Sequence, residues 1–249
     1  MNYRCKVCEK PIDVHDHVRG GLCRSAECRR RYAGRVAHEE YQEHRAALRR
    51  TAEEIRDRRI PPTPEPLPAA ALPSNDRPVV PLPEERREAF AAYLRSLVLQ
   101  VYAEPGDQHH PLRPALESEP LARAACALCR GHCCLKGGIH NAYLDATTIE
   151  RVRAERPATD PEELVETYLA AIPPESFEEA CVYQSATGCV LPEDLRATIC
   201  GAFFCDGLAE FRVAAREAGA TRGFGVAFRD GVPVREAILT PDGPHPPDE

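Results

Sequence analysis

Twelve of the 249 residues are cysteine, and their positions restrict the chain more than any other feature. Cys5, Cys8, Cys23 and Cys28 form a first group. Cys126, Cys129, Cys133 and Cys134 crowd into the nine residues CALCRGHCC, and Cys181, Cys189, Cys200 and Cys205 follow after a stretch without cysteine. Thiols this dense serve a disulfide framework, a redox dithiol, a nucleophile or a metal site. The N-terminus, MNYRCKVCEK, puts charges and cysteines where a secretory leader would have its apolar run. No apolar stretch approaches the ~20 residues that cross a bilayer. The chain is therefore expected in the cytoplasm, where thiols stay reduced. Twelve reduced cysteines then point to metal binding or redox chemistry, with disulfides the weaker reading.

The first group reads C-x2-C-x14-C-x4-C. In a CxxC knuckle the turn aims both sulfurs at one point, about 2.3 Å from a zinc ion, and a second pair completes a tetrahedron. Cys28 should open a helix whose N-terminal amides favour thiolate over thiol. A region this small cannot hold a core alone, so metal ligation would supply its folding energy. His15 and His17 lie between the pairs and read as surface residues, since four cysteines already fill the site. The pattern over about residues 3–35 resembles small treble-clef zinc fingers, a class that binds protein, nucleic acid or metal.

Charge is uneven around the net −7: residues 1–60 carry 15 Lys+Arg against 10 Asp+Glu, and acidic residues dominate the remainder. A basic head with Arg29, Arg30 and Arg31 could meet the phosphates of a nucleic acid, although local solubility explains it equally well. Residues 26–59 read as one long charged helix with a sparse apolar stripe of Tyr32, Val36, Tyr41, Leu48 and Ile55, hence a mostly solvated rod. Residues 60–83 hold nine of the 24 prolines. They are expected as an extended spacer, or a strip for a proline-recognising partner, that joins neither helix nor sheet.

Beyond it, Phe90, Tyr93, Leu94, Leu97, Val98, Val101 and Tyr102 repeat at helical spacing, with Pro105 and Gly106 as the stop. Asp160-Pro161-Glu162-Glu163 is a helix start, with a cap acceptor followed by proline at the first helical position. Another helix is expected from about Cys205 to Ala218. Phe224, Val226 and Phe228 alternate up to Asp230-Gly231, a two-residue turn, and Val232 and Val234 resume the alternation, which gives a terminal hairpin. The fold class is thus mainly α with small β elements (α+β), metal-stabilised, in two modules. Their bounds are 1–59 for the finger and long helix, 60–83 for the Pro-rich linker, 84–240 for the cysteine-cluster domain and 241–249 for a disordered tail.

If LARAACALC and its continuation are helical, Cys126, Cys129 and Cys133 share one face and Cys134 points roughly 100° away. One ion would have difficulty taking both adjacent sulfurs, whereas two ions, or separate irons of a cluster, could take one each. The eight later cysteines therefore read as a multi-metal thiolate site. The runs CALCRGHCC and CVYQSATGCVLPEDLRATICGAFFC, over about residues 120–206, resemble the CxxCxxxCC cysteine-cluster (YkgJ-like) family, described as zinc- or iron-chelating domains. One departure is Ala197 after Arg196, where that family usually has proline. The resemblance implies chelation of zinc or an iron–sulfur cluster, and a flagellin lysine methylase with a similar cluster makes some relatives enzymes.

The spacing C-x2-C-x3-C is not the ferredoxin run, so geometry leaves zinc and a [4Fe–4S] cluster both open. P-loop, GxSxG, HExxH and dinucleotide signatures are missing. Gly137-Gly138 reads as a turn, His132 and His140 as turn or surface residues, and Glu178-Glu179 as solvated. Three readings follow: a non-catalytic metal-binding protein with a protein partner, an iron–sulfur enzyme or electron carrier, and a nucleic-acid-associated zinc protein.

Overall fold

The computed structural model describes residues 3–12, 16, 21–104, 119–186 and 188–247. It is a mixed α+β chain, mostly helical with small sheets. The chain divides into two compact units, Met1–Thr51 and Ala52–Glu249, with the division inside the first helix. His15, His17, Pro105 and Gly106 lie outside the described residues.

In the first unit, a bridge between Arg4 and Pro11 closes the knuckle, and helix α1 follows at Ala26–Arg59. Among its described residues the buried apolar side chains are Cys5 and Cys28 alone. Tyr41, at the centre of the expected stripe, is exposed, whereas Ala52 and Ile55, in the part of α1 that belongs to the second unit, are buried, so the last turns of the helix depart from the expected solvated rod.

The second unit has an apolar interior of its own. Helix α2, Glu84–Ala103, buries Phe90, Leu94, Val98 and Val101 on the face the periodicity marks. It packs on α4, Ala146–Glu155, and α5, Pro161–Ala170. Asp160 caps α5 by accepting from the Glu163 amide at 2.9 Å. A second cluster joins α3, Pro120–Cys129, and α7, Asp206–Glu217, to a four-stranded sheet. That sheet is ordered β1-β6-β7-β8, with β1 Ala69–Pro73, β6 Gly223–Arg229, β7 Val232–Thr240 and β8 Gly243–His245. Strands β6 and β7 form the expected hairpin, and Asp230 and Gly231 both take the positive φ that such a turn demands. Metal therefore need not replace a missing core in this unit.

Two expectations are corrected. The Pro-rich segment 60–83 does enter sheets. Ala69–Pro73 pairs in parallel with β6, and β2, Val79–Pro81, pairs antiparallel with β3, Glu175–Phe177. The reason is local: the run Ala69 to Leu72 contains no proline, and Pro73 and Pro81 sit at strand ends on strands with one free edge, where a missing amide breaks no ladder. Likewise the tail is ordered through β8, which pairs with Ile238–Thr240. Gly243, at φ 129°, turns the chain back after Asp242, and Pro244 sits on the edge strand.

Candidate metal centres

The first knuckle folds because short backbone hydrogen bonds close it. The Cys5 amide donates to Lys10 O at 2.9 Å, and the Glu9 amide donates to Cys5 O at 3.0 Å. Lys6 N reaches Gly21 O at 2.9 Å, which brings the second pair alongside the first. As a result the sulfurs of Cys5, Cys8, Cys23 and Cys28 all lie within 4.8 Å of one another, close enough to hold a metal ion. Cys8 Sγ and Cys23 Sγ are 3.9 Å apart. A zinc–sulfur bond of about 2.3 Å places tetrahedral sulfurs about 3.8 Å apart, so this donor set fits that ion.

The electrostatics are asymmetric. The Cys23 amide donates to Cys5 Sγ at 3.4 Å, and with the amides of Cys8 and Val7 it draws the Cys5 thiol down to about 6. Cys28 goes the other way, pushed up to about 12 by burial and by the neighbouring sulfurs of Cys23 and Cys8. The expected help from the helix N-terminus does not win there: Cys28 lies inside α1, and four sulfurs in one place repel further negative charge. A cation among them removes that penalty, which is the usual coupling between metal and thiol deprotonation.

The second group is organised differently from the expected single helix face. Helix α3 carries Cys126 and Cys129 but ends there, because Arg130 (φ 57°) and Gly131 (φ 63°) both turn left-handed. Cys133 and Cys134 sit beyond, in the 3-10 stretch His132–Gly138. Cys181 precedes the small hairpin of β4, Gln184–Ser185, and β5, Gly188–Cys189. Cys200 lies in the short helix α6, Thr198–Ala202, and Cys205 is the N-cap residue of α7. Ala197 holds φ −57°, the angle a proline would impose, so the departure from the family pattern leaves the turn before Cys200 intact.

The turn after α3 is held by side chains that the sequence did not single out. Of four successive carbonyls at this helix end, Gly131 O has a local partner in the Cys134 amide at 2.8 Å, and the others take theirs from distant segments. Leu128 O accepts from Arg235 Nε at 3.2 Å, and Cys129 O accepts from the Asn75 amide at 3.0 Å. Arg130 O accepts from Asn75 Nδ2 at 3.1 Å and from Gln184 Nε2; Gly131 O accepts from Gln184 Nε2 at 3.2 Å. Asp76 locks Arg235 with an ion pair of 2.8 Å. Burial pushes the Asp76 carboxyl up, but Ser74 and Arg235 outweigh it and hold it low. The only signal was the polar triplet Ser74-Asn75-Asp76 inside a proline run.

His132 donates its backbone N–H to Cys129 Sγ at 3.2 Å, and its ring is engaged by Ser74 O at 2.9 Å. His140 stacks on Tyr143. Glu179 is ion-paired with Arg77, which holds its carboxyl below the usual range, while Glu178 is exposed. Gly137 and Gly138 are points of close approach: a Cβ on Gly137 would meet Cys181 Cβ at 2.9 Å, and one on Gly138 would meet Glu179 O at 2.3 Å. Arg29, Arg30 and Arg31 are exposed on α1.

Among the described residues, the first group alone converges tightly enough to hold an ion as it stands. The eight later thiols are nonetheless neighbours. Burial, then the sulfurs of Cys129, Cys133 and Cys205, pushes Cys126 upward. Burial likewise lifts Cys181 to about 12, with Cys189 and Cys200 adding to it. No helix of the described residues is long and apolar enough to cross a membrane. Compared with family models, curated proteins and solved structures, the chain finds no match.

Proposed function

We propose that this chain is a metal-binding protein whose thiolate centres stabilise surfaces for a protein partner or for metal handling, without catalysis of their own. Cys5, Cys8, Cys23 and Cys28 hold structural zinc, and the other eight cysteines hold metal in Ala52–Glu249. The convergence of the first four sulfurs within 4.8 Å carries this reading. The resemblance of residues 120–206 to the CxxCxxxCC cysteine-cluster family supports extending it to the second group. Burial raises the Cys129 and Cys181 thiols, a penalty that a bound cation would offset.

Anaerobic purification with metal analysis and an absorption spectrum tests it. Colourless protein with zinc at about one ion per four cysteines is the expected result. Brown protein that bleaches on reduction would put an iron–sulfur centre in the second group. The variant C8S should lose about one ion per chain and the ordered knuckle with it. Unchanged stoichiometry in C8S overturns the first-site assignment, and metal-free, folded protein overturns the whole reading.

A further inference from the structure

We propose that the eight thiols of Ala52–Glu249 form two separate four-sulfur metal sites, Cys126/Cys129/Cys133/Cys205 and Cys134/Cys181/Cys189/Cys200. The proposal rests on the metal-binding reading above and specifies how its second group is built.

Packing supplies the main argument. The unit has two apolar clusters, and they divide five of the eight cysteines between them. Cys129 belongs to the cluster of α3, α7 and the four-stranded sheet, and Cys126 and Cys205 pack against it. Cys181 belongs to the other, built on α2, α4 and α5, and Cys134 packs against that one.

Backbone connections draw the same line. Cys126 and Cys129 are one turn apart on α3, which packs on the helix that Cys205 caps. On the other side, the Cys181 amide donates to Cys134 O at 2.9 Å, and the Gln184 amide donates to Cys181 O at 3.0 Å. Gln184 is paired with Cys189 across the β4–β5 hairpin. Arg196, four residues before Cys200, reaches Cys189 O at 3.4 Å.

Cys133 and Cys134 stand at the border, and their adjacency is the reason for the division. Their two thiols lie within reach of each other, so the boundary between the sites runs between them and each ion draws one sulfur to its own side. Cys134 turns toward the Cys181 side, with its sulfur beside Gly131 and Gln184. Cys133 directly follows His132, whose backbone N–H donates to Cys129 Sγ at 3.2 Å, and so completes the set on the Cys129 side.

Cationic side chains flank the Cys134 site. Four thiolates around a divalent ion leave two negative charges. The Cys134 site has two arginines against it, Arg86 through Ala180 O and Arg196 through Cys189 O.

The test uses the full chain with zinc and with cobalt(II) as the optical probe, in the wild type, C129S, C181S, the double variant and C8S. Each single variant should lose about one ion per chain and about a third of the tetrathiolate cobalt absorption, and the double variant about two thirds. Stepwise chelation of the wild type, followed by alkylation and mass mapping, should release each foursome as a block. This second readout decides the matter if a variant fails to fold. Loss of both ions from either single variant, simultaneous release of all eight thiols, or iron with inorganic sulfide in one cluster overturns the division. If the wild type holds metal only at the site that C8S abolishes, the second-group reading itself fails, which is a separate outcome.

Discussion

Asn75 shows how much of the second group depends on a residue with no metal chemistry. It is fully buried, its amide and side chain satisfy the carbonyls of Cys129 and Arg130, and its Oδ1 accepts from the Arg77 amide. Replacing Asn75 by Ala removes one of the two donors to Arg130 O and takes the side-chain acceptor from the Arg77 amide, and should cost about 1–3 kcal/mol. Denaturant unfolding would register it as a lower midpoint at constant slope. Gly138→Ala should be comparably harmful for a steric reason, because the added methyl would collide with the Glu179 carbonyl. The cysteines were legible in the sequence because metal ligation is written in residue type and spacing. Asn75, Gln184 and Arg235 were not, because their partners are backbone carbonyls, which no side-chain pattern reveals.

Helices α1, α2, α5 and α7 and the hairpin were read with little loss, since their spacing and caps are local, whereas α4 and the short α6 were not read. Strand β1 escaped because its evidence is distant: it is a strand only through its pairing with β6. Leu72 tests it, being buried in the cluster that also holds Cys129. Leu72→Ala should cost about 2–5 kcal/mol, far more than any residue of a solvated spacer, and thermal unfolding would show the difference. Between α3 and α7, the elements that bring Cys126, Cys129 and Cys205 together, Glu119 is bound by Arg212 and Arg216. The Arg212 hydrogen bonds hold the Glu119 carboxyl below its usual range. A carboxyl whose folded value is depressed adds stability above its unfolded pKa and loses it as pH falls through the folded value. Stability measured from about pH 5 down to pH 3 should therefore decline less steeply in E119Q than in the wild type.

The two units differ in what keeps them folded. Among the described residues, Met1–Thr51 buries almost nothing apolar, whereas Ala52–Glu249 holds two apolar clusters. A strong chelator should therefore abolish hydrogen-exchange protection around Cys5 to Cys28 while α2, α5 and the β6–β7 hairpin stay protected. Equal loss in both units would show that metal, not apolar burial, sustains the larger one. The sheet adds a constraint on order of assembly. Its parallel strand β1 lies early in the chain, but its partner β6 and the clamping Arg235 come after the last cysteine. During synthesis all twelve thiols leave the ribosome before β6 and Arg235, so the growing chain offers its sulfurs to the cell's metal pool while the sheet is incomplete and the Leu128 carbonyl still lacks its arginine.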